Sequence, residues 1–331
     1  MTEVITLGEC LIAFVATTPG PLAEATTFER FVAGAEANVA VGLARLGHSV
    51  AFIGRVGADG FGEAIRRRLR GEGVDIGDLA VDPDAATGLM FRERRTLGPA
   101  QVVYARRGSA GSRLIRDEVE RAMARHRDQG PRWLHLTGIT PALSADAHAA
   151  TQRAIESATA AGLTISLDLN LRRRLWSDDA AAPVLRALVA NVDVLLGNPD
   201  ELAVLTRRSA ADDAVDLALA ALDLGPSLVV VKLGAAGALA VDRADIDDPI
   251  IRPALPLPVV VDPVGAGDAF CAGFIAARLD GADLATALEM GNACGATAAS
   301  AVGDQTGLPD RAELAAILLA VAEAGSPDTI R

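Results

Sequence analysis

Two glycines and an acid stand together in the run Val261-Asp262-Pro263-Val264-Gly265-Ala266-Gly267-Asp268-Ala269-Phe270-Cys271-Ala272-Gly273-Phe274. Its pattern predicts an apolar strand that gives way, through small residues, to an apolar helix. A helix N-terminus leaves about four backbone N–H groups unpaired and carries roughly half a positive charge. Gly265 and Gly267 keep bulk away from those donors, so an anion can approach the N–H groups of Ala266, Gly267 and Asp268. Asp268, in the first turn, is placed to accept a proton from a nearby hydroxyl. An anion cradle beside a base is a layout for phosphoryl transfer.

Three further constellations carry polar groups at element boundaries. Gly34-Ala35-Glu36-Ala37-Asn38 opens a helix, with Gly34 permitting close approach of a polyol and Asn38 offering both a donor and an acceptor to hydroxyls. Asn198-Pro199-Asp200-Glu201 follows an apolar strand and by itself is a helix start, with Asn as cap, Pro at N1 and acids in the first turn. Val229-Val230-Val231-Lys232-Leu233-Gly234-Ala235-Ala236-Gly237 ends a strand in a glycine-bearing turn around the chain's single lysine. The sequence contains neither G-x-x-x-x-G-K-[ST] nor a G-x-G-x-x-G between the first strand and helix, which disfavours P-loop NTPases and NAD dehydrogenases. His48, His126, His135 and His148 show no metal spacing or triad partner, and Cys10, Cys271 and Cys294 no zinc spacing.

The run D-P-V-G-A-G-D-A-F resembles the C-terminal signature of the ribokinase-like (PfkB) carbohydrate kinases, and Gly34–Asn38 with the later G-R-V-G-A-D-G-F-G resembles their N-terminal one. The resemblance spans essentially the whole chain. It implies a three-layer α/β/α fold with a mainly parallel central sheet and a small β-sheet lid. It also implies ATP and Mg²⁺ as cofactors, Asp268 as base, and Gly265, Ala266 and Gly267 as the anion cradle. Gly34, Ala35 and Asn38 would then hold sugar, and Glu201 of N-x-x-E would organise Mg²⁺ through water. Asn198, Lys232, Gly234, Gly237 and Asn292 would line the nucleotide, with Ala298–Gly303 beside adenine. Asp262 and Val264 lie where members of the family bind K⁺.

Within the family, Tyr104-Ala105-Arg106-Arg107-Gly108 and Asp168-Leu169-Asn170-Leu171-Arg172-Arg173-Arg174-Leu175-Trp176 look like 2-keto-3-deoxygluconate kinases. The likeness assigns Tyr104, Arg106 and Arg172 to the sugar acid, and paired guanidinium donors suit a carboxylate. Two positions depart from the pattern. Ala33 stands where the family usually has the first of two glycines, which bears on hinge freedom in the lid. Arg94 stands where the subgroup carries a second lid tyrosine, so fructose or a related neutral keto-sugar is the alternative substrate. A regulator that binds sugar or nucleotide without turnover is a more distant alternative, set against by retention of both Asp268 and Glu201.

Composition and patterning supply the frame that must hold these residues. With 331 residues, half of them hydrophobic and only 3% aromatic, the core must be built from Ala, Leu and Val. A net charge of −12 argues against nucleic-acid and anionic-membrane surfaces. The chain opens on an apolar strand without a charged leader, and no window suits a membrane span, so a cytoplasmic protein is expected. Strands are expected at 4–9, 49–54, 132–136, 163–168, 192–196, 227–232 and 237–241. Helices are expected at 36–47, 60–72, 145–161, 181–190, 199–206, 212–223, 267–280, 283–301 and 310–323. This alternation predicts one α/β domain over 1–331. Residues 10–33 and 86–107 break the rhythm with short strands, read as a lid that excludes water and through which the chain would form a homo-oligomer. Gly325–Asp328 reads as a frayed tail.

Overall fold

The computed structural model describes residues 1–95 and 100–324; the expected tail at Gly325–Asp328 lies outside them. The chain runs β1 (Val4–Leu7), β2 (Leu11–Pro19), β3 (Phe28–Ala33), α1 (Ala35–Arg45), β4 (Val50–Gly57), α2 (Gly60–Gly71) and β5 (Leu79–Asp82). It continues through β6 (Leu89–Arg94), β7 (Val102–Ala105), α3 (Arg116–His126), β8 (Trp133–Thr137), α4 (Ala145–Ala161) and β9 (Thr164–Asp168). Then follow α5 (Asp178–Val189), β10 (Val194–Gly197), α6 (Pro199–Thr206), α7 (Ala214–Leu222), β11 (Leu228–Lys232), β12 (Ala238–Asp242) and β13 (Asp245–Arg252). Helices α8 (Ala266–Leu279), α9 (Leu284–Ala299) and α10 (Arg311–Ala324) complete it.

Nine strands form the large sheet in the order β13-β12-β11-β10-β9-β8-β1-β4-β5. All its pairings are parallel except β11 with β12 and β12 with β13. Successive side chains of a strand point to opposite faces, and the apolar strands follow that rule. In β11, Leu228 and Val230 join the core beneath α1, α2, α8 and α9, whereas Val229 and Val231 join the one beneath α3 to α7. A strand that is apolar on both faces needs helices on both sides. The three layers follow.

The smaller sheet, in the order β3-β2-β6-β7, comes from the two stretches expected to break the α/β rhythm. It packs on the carboxyl-end side of the parallel strands, with Leu11, Ala13, Ala33 and Met90 as its own apolar patch.

The structure differs from the expectations at four places. No strand precedes the Gly265 turn: residues 253–265 are loop, and Val259, Val260 and Val261 are exposed. Pro256, Pro258 and Pro263 explain this, since each lacks the N–H a ladder needs. Helix α3 and strands β5 and β13 were not anticipated. α3 is mostly charged and buries only Val119, Ala122, Met123 and His126, while β13 is an acid-rich edge strand with a proline. Among the described residues no helix is long and apolar enough to cross a membrane.

Candidate active site

Helix α8 starts immediately after Gly265, whose φ of +82° is left-handed. A Cβ added there would stand 2.7 Å from the Asp304 carbonyl oxygen, so the turn demands glycine twice over. The first helical bond runs from Ala269 N–H to the Gly265 carbonyl at 2.8 Å. Ala266 N–H turns back to the Pro263 carbonyl at 3.3 Å. Of the three N–H groups expected to face an anion, those of Gly267 and Asp268 therefore have no acceptor of their own among the described residues. The Asp268 carboxylate is buried in this first turn; its Oδ2 accepts from Asn38 Nδ2 at 2.8 Å and its Oδ1 from Asn170 Nδ2 at 3.2 Å. Burial pushes its pKa up, the Asn38 hydrogen bond opposes the rise, and the Asp168 charge adds to it.

Asn38 is itself held. Its Oδ1 accepts from Gln305 Nε2 at 3.1 Å, and its Nδ2 also reaches Asp304 at 3.3 Å. Burial, then the Asp268 charge, push Asp304 up to about 6. Gly34 caps α1 with φ +139°, and a side chain there would strike the Glu9 backbone. Beside Ala35, Glu36 is buried and accepts from Thr137 Oγ at 2.7 Å and Thr140 Oγ at 2.6 Å; desolvation lifts it to about 7.

Tyr104 and Arg106 come from the smaller sheet and its edge, and Arg172 from the loop after β9. All three line both a cavity of about 540 Å³ above Asp268 and an adjoining one of about 900 Å³. Arg106 lies over the Tyr104 ring, 5.2 Å from its centroid, and its Nε donates to Glu9 at 2.7 Å. Among the described residues Arg172 has no carboxylate within 4 Å and is exposed. Met90 pairs with Tyr104 and lines the 540 Å³ cavity, whereas Arg94 is exposed at the end of β6.

On the far side of Gly267 lies a mostly apolar cavity of about 430 Å³ bounded by Gly234, Gly237, Leu255, Phe270, Asn292 and Ala299. Asn292 spends its amide on the Arg252 and Pro253 carbonyls, at 3.1 and 3.0 Å, anchoring the end of β13. Lys232, at the junction of the two cavities, donates to Asp168 at 2.6 Å, and nearby carboxylates outweigh desolvation to hold its pKa up. Asn198 and Glu201 form a reciprocal capping box on α6, at 2.9 and 3.0 Å, and Glu201 also accepts from Leu171 N–H at 2.8 Å. Glu201 still borders the cavity, and one oxygen of nearby Asp168 is buried without a partner among the described residues.

The expectation of K⁺ at Asp262 and Val264 meets a different arrangement. Arg92, from strand β6 of the smaller sheet, grips Asp262 with both terminal nitrogens, one at 2.6 Å from Oδ1 and the other on Oδ2. Val264 N–H and Gly303 N–H also donate to that carboxylate, at 3.2 and 3.1 Å. A cation at Asp262 would face a guanidinium, and the residues present do not fit one.

Glu9, Arg92, Asp168, Asn170 and Asp304 were not among the expected site residues. Glu9, Asp168 and Asn170 lie at or just past the carboxyl ends of β1 and β9, where open α/β sheets bind ligands, and that position was a readable signal. Arg92 and Asp304 act through partners far away in sequence and left none.

The model of the pfkB family carbohydrate kinases matches residues 1–311. A 2-dehydro-3-deoxygluconokinase from Thermoproteus tenax is 38% identical over 97% of this chain and 95% of its own. A ribokinase II from Escherichia coli, solved in complex with ATP and Mg²⁺, superposes with a TM-score of 0.87 at 27% identity, over 97% of this chain and all of its own. A double mutant of the Vibrio cholerae fructokinase, solved with fructose, ADP and potassium, gives 0.82 at 29% identity, over 96% of this chain and 98% of its own.

Proposed function

The chain belongs to the pfkB family of carbohydrate kinases, and we propose that it transfers the γ-phosphate of ATP to a primary hydroxyl of 2-keto-3-deoxygluconate (2-dehydro-3-deoxygluconate). The observation that carries this reading is the placement of Asp268. Its carboxylate is oriented by two amides in the first turn of α8, beside free N–H donors and beneath a cavity edged by Arg106 and Arg172.

The sugar acid lies in that cavity, with its carboxylate at Arg172 and Arg106, its chain against Tyr104 and Met90, and its hydroxyls near Gly34, Ala35 and Asn38. Asp268 takes the proton of the attacking hydroxyl. The N–H groups of Gly267 and Asp268, with the helix dipole behind them, stabilise charge on the transferred group. Adenine lies in the apolar cavity by Asn292, with the Gly234–Gly237 turn along the phosphates and Lys232 at the junction. The carboxylates of Glu201 and Asp168 fit a hydrated Mg²⁺, which needs one or two carboxylates and keeps several waters. Glu201 and Asp168 would hold the ion there, and its positive charge would offset that of the ATP phosphates. The lid excludes water that would otherwise take the phosphoryl group.

One observation favours a neutral keto-sugar instead. Glu9 already neutralises Arg106, which leaves Arg172 as the single unpaired guanidinium of the proposed clamp. Coupled ADP release with 2-keto-3-deoxygluconate, fructose, ribose and adenosine decides the matter. Turnover of the sugar acid well above fructose is the expected result; turnover of neutral sugars alone overturns the acid assignment. Thermal shifts without ADP release from any sugar would mark a non-catalytic binder.

A further inference from the structure

The approach to the anion cradle contains a charge problem that the sequence hides. Asp262 is 6% exposed and stands three residues before Gly265, where its negative charge opposes any phosphate brought to α8. No cation on its own loop neutralises it: Val264 and, from the loop after α9, Gly303 give it N–H donors, which orient a charge but do not cancel it. The neutralising group comes from the other sheet. Arg92, 5% exposed, leaves β6 and meets both oxygens of the carboxylate in a bidentate pair spanning 170 residues.

The same lid sheet touches the cradle's support a second time. A Cβ at Gly303 would run into the ring of Phe31, on β3. The neighbouring Asp304 backbone is in turn what a Cβ at Gly265 would strike. The loops 262–265 and 303–304 therefore pack on each other and are capped by two lid residues, one charged and one aromatic.

We propose that Arg92 supplies the positive charge at Asp262 that the family resemblance assigns to K⁺, and so holds the Val264–Asp268 cradle ready for phosphate without a monovalent cation. Arg92 is a positioning residue: it acts on the reacting phosphate through Asp262 and the loop that Asp262 anchors. The arrangement makes the cradle's electrostatics depend on the lid, because removing β6 would uncover a bare carboxylate beside the phosphates. The inference rests on the phosphoryl-transfer reading of the cradle.

The test measures ADP release by the full chain with saturating MgATP and 2-keto-3-deoxygluconate, in potassium chloride and in tetramethylammonium chloride at equal ionic strength. Wild type, Arg92→Lys and Arg92→Gln are compared, with thermal unfolding as the check on folding. Wild-type kcat is expected to agree within about two-fold between the salts. Arg92→Gln is expected to lose about ten-fold or more in kcat, and Arg92→Lys to keep most of it. Saturable activation of wild type by K⁺, by several-fold, overturns the proposal, as does an Arg92→Gln enzyme that turns over like wild type in tetramethylammonium. Should Arg92→Gln fail to fold, Arg92→Lys still decides: activity near wild type supports the charge role, and a ten-fold loss with normal unfolding overturns it. No ADP release from wild type with any sugar in either salt sinks the kinase reading and this inference with it, a result distinct from K⁺ activation of a working enzyme.

Discussion

The amide nitrogen of Asn38 stands 2.8 Å from Oδ2 of Asp268, joining α1 to α8 across 230 residues of chain. Because Asn170 holds the other oxygen at 3.2 Å, the carboxylate has little rotational freedom. One lone pair on each oxygen is spent on orientation, and each oxygen has acceptor capacity left for a substrate hydroxyl.

Asp268→Asn keeps the shape of this centre and removes its basicity. It is expected to lower kcat by roughly 10²–10⁴ while sugar and ATP still raise the unfolding temperature. Near-normal turnover in the coupled assay would end the assignment of Asp268 as base.

Asn38→Ala tests the orientation through pH. A base must be deprotonated to act, so activity falls as pH drops through its pKa. Burial already raises that of Asp268, and the Asn38 hydrogen bond is the largest opposing influence. Removing the bond should therefore move the acid limb of kcat/KM to higher pH. A limb that stays in place while the maximum falls would show that Asn38 serves the sugar alone.

Those two residues were legible in the sequence because each sits at a helix start inside a string of small residues, where local chemistry is explicit. The three layers were legible for a similar reason: strands such as Val229–Val231 are apolar on both faces and need cover on both. What stayed hidden depends on partners remote in sequence. Nothing near Arg92 in L-M-F-R-E-R points to Asp262, and nothing near Arg106 says that Glu9 will claim it. The strand expected before Gly265 failed because Val259–Val261 mimic one while the flanking prolines forbid its ladder. α3 was missed because its charged residues masked four buried positions at helical spacing.

The carboxylate clamp is separable arginine by arginine. Arg172→Ala removes the unpaired guanidinium and is expected to raise KM for 2-keto-3-deoxygluconate by about ten-fold or more, in line with roughly 1.5–3 kcal/mol for a hydrogen bond to a charged group. Any activity on fructose should change little. Arg106→Ala strips Glu9 of its cation and leaves a buried carboxylate unpaired, so it should lower stability as well as affinity. If Arg172→Ala weakens both sugars equally, the residue is not reading a carboxylate.

Gly265 and Gly281 offer a matched pair, since their φ values are +82° and +83°. An alanine at either must adopt a left-handed conformation, at about 1–2 kcal/mol. At Gly281 the new methyl meets nothing within 4 Å among the described residues, and it lies at the other end of α8. At Gly265 the methyl would lie 2.7 Å from the Asp304 carbonyl oxygen and 3.0 Å from its Cα. One loop must then move, and either loop helps to seat the free N–H groups of Gly267 and Asp268. Both alanine variants should therefore unfold at lower temperature than wild type, whereas only Gly265→Ala should lose kcat/KM for ATP, by about ten-fold or more. Equal kinetic losses in the two would mean that strain in α8, and not the geometry of the cradle, governs the rate.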